Sequence, residues 1–198
     1  MTDVTVPRIN GERLWADLMA LGEIGAAPGR GVTRTALSQP DLAGKEWLAG
    51  TFRDAGLEVR TDAAYNVIGR LASGKPGAKL VAMGSHLDTV PQGGKFDGML
   101  GVLAALECVR TIRQQGIGLP WDLEVINFTD EEGAHNAGTV GSRAMMGDLS
   151  PGELEKSVKQ GRPSFAEDLR SAGKDPARIG EARRDPADFS CYLELHIE

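Results

Sequence analysis

Apolar residues recur at helical spacing at Ile9, Leu14, Leu18 and Leu21, which predicts a first helix starting after Asn10. The glycine-rich stretch GEIGAAPGRGVTR follows, but with no strand before it the run is weak evidence for phosphate binding. Ser38 is placed to cap a second helix that runs to about residue 55, where Gly56 stops it. Short apolar runs at 57–60, 66–71 and 79–83 read as strands, and ASGKPGAK between the last two reads as a turn. The run 98–115 is apolar at nearly every inward position and predicts the clearest helix, ended by Gly116. Residues 121–128 predict a strand, GSRAMMGDL and SFAEDLRSAG short helices, and CYLELHIE a last strand. Strands alternating with helices predict an α/β fold, a three-layer sandwich whose mixed, mostly parallel sheet is covered by helices on both faces.

Composition narrows the field. The chain has 198 residues and a net charge of −6, without the basic stripe that nucleic acid requires. No apolar run approaches the ~18 residues of a membrane span, and the first residues lack the basic and apolar regions of a signal peptide. The two cysteines, Cys108 and Cys191, belong to no paired motif and are expected as buried thiols in a reducing cytoplasm. Trp15, Trp47 and Trp121 sit within apolar patterns and read as packing residues.

The candidate chemistry lies at the ends of these elements. His86 and Asp88 follow the strand at 79–83, Glu131 and Glu132 follow the strand at 121–128, and His196 closes the last strand. Asp97 opens the long helix. Sites in open α/β sheets form outside the carboxyl ends of strands, so these groups can share one cleft. A divalent cation takes imidazole nitrogen and carboxylate oxygen together, and it relieves the repulsion among crowded carboxylates. Asp97 has two oxygens and can bridge two metals, while glycines 93, 94 and 98 let the backbone return it toward His86. Asp88 is placed to accept the second ring N–H of a metal-bound His86. Of the adjacent glutamates, one can bind metal while the other takes a proton from the activated water. His135 and Asn136 are weaker candidates for lining a substrate wall, and Arg143 for meeting a substrate anion.

The stretches GSHLDTVPQGGKFDGMLGV, FTDEEGA, GSRAMMG and YLELHIE together resemble the amidohydrolase branch of the M20 metallopeptidase-like family. That branch contains N-carbamoyl-L-amino acid hydrolases, allantoate amidohydrolases and ureidopropionase-type enzymes. The resemblance implies one metal held by His86, Asp97 and His196, and a second held by Asp97 and Glu132. It implies Glu131 as general base and Asp88 as the partner that orients His86. The metals would be zinc, manganese or cobalt, two in the full-length enzyme and one firmly bound here. The implied reaction is hydrolysis of a non-peptide C–N bond in N-carbamoyl amino acids or ureido compounds such as allantoate, by metal-activated water. A histidine at position 196 where peptidases of the family have an acid argues against the alternatives of a peptidase or acylamino-acid hydrolase; a non-catalytic fragment keeping the fold is the other alternative. The resemblance departs after EEGA, where His135 and Asn136 stand in place of an Arg-Phe-like pair. It further implies that residues 1–198 are the N-terminal part of a catalytic domain whose lid, dimerisation domain and closing segment lie elsewhere. Full-length relatives are expected to be homodimers, and this chain alone to have little turnover.

Overall fold

The computed structural model describes residues 6–29, 31–135, 138–157 and 161–197. Helix α1 (Gly11–Glu23) starts where Asn10 accepts a hydrogen bond from the Arg13 amide at 3.0 Å, and it buries Leu18 and Leu21. Helix α2 (Gln39–Asp54) follows its cap Ser38, carries Pro40 in its first turn and turns Leu48, Ala49 and Phe52 inward, together with the charged Asp41 and Lys45. Strands β1 (Glu58–Thr61), β2 (Val67–Leu71) and β3 (Leu80–His86) come next, then helix α3 (Met99–Gln114) and strand β4 (Asp122–Phe128). Three short helices, α4 (Val140–Met146), α5 (Pro151–Leu154) and α6 (Phe165–Ser171), and 3₁₀ turns at Pro176–Ala182 and Pro186–Asp188, lead to strand β5 (Phe189–Leu193). The expected strand at 79–83 therefore runs three residues further, and His86 is its last member.

The sheet order is β1-β2-β4-β3-β5. β3 pairs parallel with both β4 and β5, while β2 is antiparallel to β1 and β4. Only β2 runs against the others, so the sheet is mixed, with its carboxyl ends gathered on one edge. Period-two alternation sorts side chains to the two faces. Val67, Leu123 and Val125 face a core built with α1, α2 and α3, while Ile68, Ile126 and Phe128 face the side covered by Met145 of α4. A further core joins α4, α5 and α6 through Val140, Leu154, Phe165 and Leu169. Burying a side chain such as Phe52 or Leu106 stabilises by about 1.5–3 kcal/mol.

Four expectations about single residues are corrected. Cys108 and Cys191 are exposed rather than buried. Trp15 and Trp121 are also exposed, at 56% and 42%, so Trp47 is the tryptophan that packs on the core. Apolar periodicity says which face a residue lies on, but not whether another element covers that face. Among the described residues, no helix is long and apolar enough to cross a membrane.

Candidate metal centre

Parallel pairing brings the two site histidines together. Met83 lies opposite Leu193 across β3 and β5, and continuing that register by three residues sets His196 opposite His86. Their Nε2 atoms are 3.3 Å apart, and Asp97 Oδ1 is 3.4 Å from His196 Nε2. Among the described residues, His86, Asp97 and His196 form a group whose ligand atoms all lie within 4.8 Å of one another.

Asp97 arrives from the loop ahead of α3. Gly98 takes φ +63°, and a Cβ there would stand 2.5 Å from the His86 ring, so only glycine lets the loop pass this imidazole. Gly93 and Gly94 do not use this left-handed freedom; Gln92 does, at φ +55°.

The tautomers decide what the cluster can hold. His86 Nδ1 lies 2.9 Å from the Asp88 carbonyl oxygen, and His196 Nδ1 lies 2.7 Å from the Ile197 carbonyl oxygen. A carbonyl only accepts, so each ring donates from Nδ1, and in the neutral ring this leaves the lone pair at Nε2. Two lone pairs then face each other across 3.3 Å, beside Asp97 Oδ1, a buried oxygen with no hydrogen-bond partner. Three unshared donors aimed at one point suit a divalent cation, which accepts this nitrogen and oxygen set.

Asp88 differs from expectation. Its backbone carbonyl orients His86, and its carboxylate is 3.8 Å from the ring. That carboxylate instead accepts the backbone N–H groups of Glu131 at 3.3 Å and Glu132 at 3.0 Å. Burial pushes the Asp88 carboxyl up from its ordinary value, with the nearby His86 opposing. Asp88 thus joins the end of β3 to the turn after β4.

The two glutamates diverge as neighbouring side chains must. Glu131 accepts from the Ser142 amide at 3.0 Å and the Ser142 hydroxyl at 2.7 Å, and burial raises its carboxyl despite both bonds. Glu132 is more open, with Oε1 3.8 Å from His86 Nε2, outside the tight group of three. Beside His86 and Glu131 lies a cleft of about 510 Å³ lined by Phe128, Met145, Phe189 and Tyr192.

The weaker candidates fall away from this centre. His135 is buried, with one ring nitrogen on Asp130 and the other on Asp168, so both of its polar atoms are engaged within the chain. Asn136 lies outside the described residues. Arg143 is engaged by Asp148 and Glu153. Sequence reasoning missed Arg34, which is fully buried and donates to the carbonyls of Leu21, Ile24 and Leu87. Its own backbone N–H also bonds Thr89 at 2.9 Å, so it braces the segment just past His86.

An open α/β sheet with two imidazoles and a carboxylate close together at its carboxyl edge defines a class: an α/β protein with a His/Asp/His group of metal-ligand type. A profile of the Peptidase family M20/M25/M40 matches residues 82–198, and the chain belongs to that family. It is 48% identical over 191 residues to an N-carbamoyl-L-amino acid amidohydrolase of Geobacillus stearothermophilus, covering 96% of this chain and 46% of the relative. It is 33% identical to a ureidoglycolate hydrolase of Oryza sativa subsp. japonica, covering 96% of this chain and 40% of that protein. The crystal structure of a hydantoinase/carbamoylase family amidase from Burkholderia ambifaria superposes with a TM-score of 0.88 at 36% identity, covering 98% of this chain and 47% of that one. The chain therefore spans about half the length of the relatives it matches.

Proposed function

We propose that this chain belongs to a metal-dependent hydrolase that cleaves the non-peptide C–N bond of N-carbamoyl amino acids or ureido compounds. The observation that carries the reading is the convergence of two Nε2 lone pairs and the unpartnered Asp97 oxygen on one point. His86, Asp97 and His196 would hold the cation, and Asp97 with Glu132 a second one. A divalent cation there supplies Lewis-acid polarisation of a carbonyl and lowers the pKa of water toward neutrality.

The chain's own groups account for the proton movements. Glu131 takes the proton from the attacking water at its carboxylate and returns it to the leaving nitrogen. Ser142 holds that carboxylate with two hydrogen bonds, so it approaches the water from a fixed direction. Asp88 places both glutamates by gripping their backbone N–H groups rather than by touching the reaction. The names of the relatives support carbamoyl and ureido compounds over peptides.

Equilibrium dialysis against zinc, manganese and cobalt tests the site: one tight ion per chain is expected, lost in H86A and H196A. Two equally tight sites would refute the one-ion expectation. A panel of N-carbamoyl-L-amino acids, allantoate, dipeptides and N-acyl amino acids tests the reaction. Carbamoyl or ureido turnover should fall about 10²–10⁴-fold in E131Q. Preference for dipeptides or acyl compounds overturns the substrate class.

A further inference from the structure

The turn that presents Glu131 and Glu132 is fastened at two points. Asp88 grips the first, from the end of β3. The second grip is built around His135. Asp130 takes φ +59° and folds its carboxylate back to accept the amides of Ala134 at 2.6 Å and His135 at 3.3 Å. The same carboxylate meets His135 Nδ1 at 3.1 Å, while His135 Nε2 meets Asp168 Oδ2 on α6 at 2.8 Å. Phe165, also on α6, packs against the imidazole at a ring separation of 5.4 Å and 84° between planes.

Carboxylates accept, so both ring nitrogens donate, and the ring sits as a cation between two anions. A neutral ring has one N–H and would leave one carboxylate facing a lone pair. The bond to Asp168 crosses between layers, because α6 belongs to the core it shares with α4 and α5. Other charged groups on this side are Lys45, whose Nζ donates to Thr129 at 3.0 Å, and the buried Asp41 and Asp88.

We infer that His135 is a positioning residue: bonded through both nitrogens between Asp130 and Asp168, it ties the turn carrying Glu131 and Glu132 to α6. It stands outside the group of His86, Asp97 and His196 and acts by fixing where those two carboxylates point. Its effect on metal rests on the proposed function; its effect on the turn does not.

The test uses the full chain as wild type, H135F, D168A and D168N, and reads backbone amide exchange, cobalt(II) binding and thermal midpoint. In H135F and D168A, exchange at the amides of residues 132, 134 and 135 should quicken about tenfold or more relative to Val125 and Ile126 in β4. Cobalt affinity should weaken about 10–100-fold, as on losing an outer support of a metal ligand. D168N keeps an acceptor for Nε2–H and should stay within about threefold of wild type for cobalt. A lowered midpoint with turn exchange and cobalt affinity unchanged would reduce His135 to a structural residue and overturn the inference. Should wild type bind no cobalt, the metal reading fails and the exchange measurement alone decides about the turn. Should H135F not fold, D168A answers the same question with the ring still in place.

Discussion

At Gly98 one missing methyl decides whether two ligands meet. A Cβ there would collide with the His86 ring at 2.5 Å, and φ +63° would strain any L side chain besides. G98A is expected to weaken cation binding at least tenfold while α3 stays helical, checked by cobalt titration beside far-UV circular dichroism. His135 makes a second residue-scale prediction, in pH. Burial would lower its pKa, but the hydrogen bonds and charges of Asp130 and Asp168 outweigh burial and hold it above the ordinary value. A raised folded-state value means the contribution is fully present below the unfolded pKa of about 6.5 and is lost as pH rises through the folded value. The stability gap between wild type and H135F, read by urea unfolding, should therefore narrow on the alkaline side. A gap that widens there contradicts the cationic ring.

Helices α1 and α3 are joined by a buried acid rather than by apolar contact alone. Glu107 projects from the inward side of α3 and accepts from the Asn10 amide at 3.0 Å, from Arg13 Nε at 2.8 Å and from the Thr111 hydroxyl at 3.3 Å. Burial works against its charge, yet the Arg13 and Asn10 bonds prevail and hold the carboxyl below its ordinary value. That contribution is present above the unfolded pKa of about 4.3 and fades as pH falls through the folded value. E107L should lose about 1–3 kcal/mol at neutral pH and show a flatter acid limb, measured by denaturant melts from pH 3 to 7. The helices and strands themselves were largely legible in the chain. Asn10 and Ser38 stand at the N-caps, and Gly56 takes φ +79° where the second helix stops, because caps and apolar periodicity act over a few residues. The 3₁₀ turns at Pro176–Ala182 and Pro186–Asp188 were not legible, since a polar stretch with prolines has no apolar repeat to read.

Across the whole molecule, the candidate cation would tie together the end of β3, the loop before α3 and the tail of β5. Anything that binds the folded form alone stabilises it, by about 2.7 kcal/mol at a hundredfold excess over Kd. For a chain of this size that corresponds to a rise in Tm of roughly 5–10 °C. Zinc or cobalt should produce it, chelation should reverse it, and H196A should abolish most of it in a differential scanning experiment. An unchanged Tm at saturating metal would count against a site shared by three elements.

Residue identity and local spacing were enough to mark His86, Asp97, Glu131, Glu132 and His196 as groups at element ends, because a strand or helix places its own last residues whatever surrounds it. The partners of those groups were settled by packing. His135 reaches an aspartate 33 residues away on α6, and Asp88 turns its carboxylate to amides 43 and 44 residues on while its carbonyl serves the ring. Arg34 looks like any loop arginine until the carbonyls of Leu21 in α1, of Ile24 just after it and of Leu87 just after β3 close around it. Side-chain periodicity carries no information about how separate elements come to lie against one another, and a hydrogen bond is a matter of tenths of an ångström.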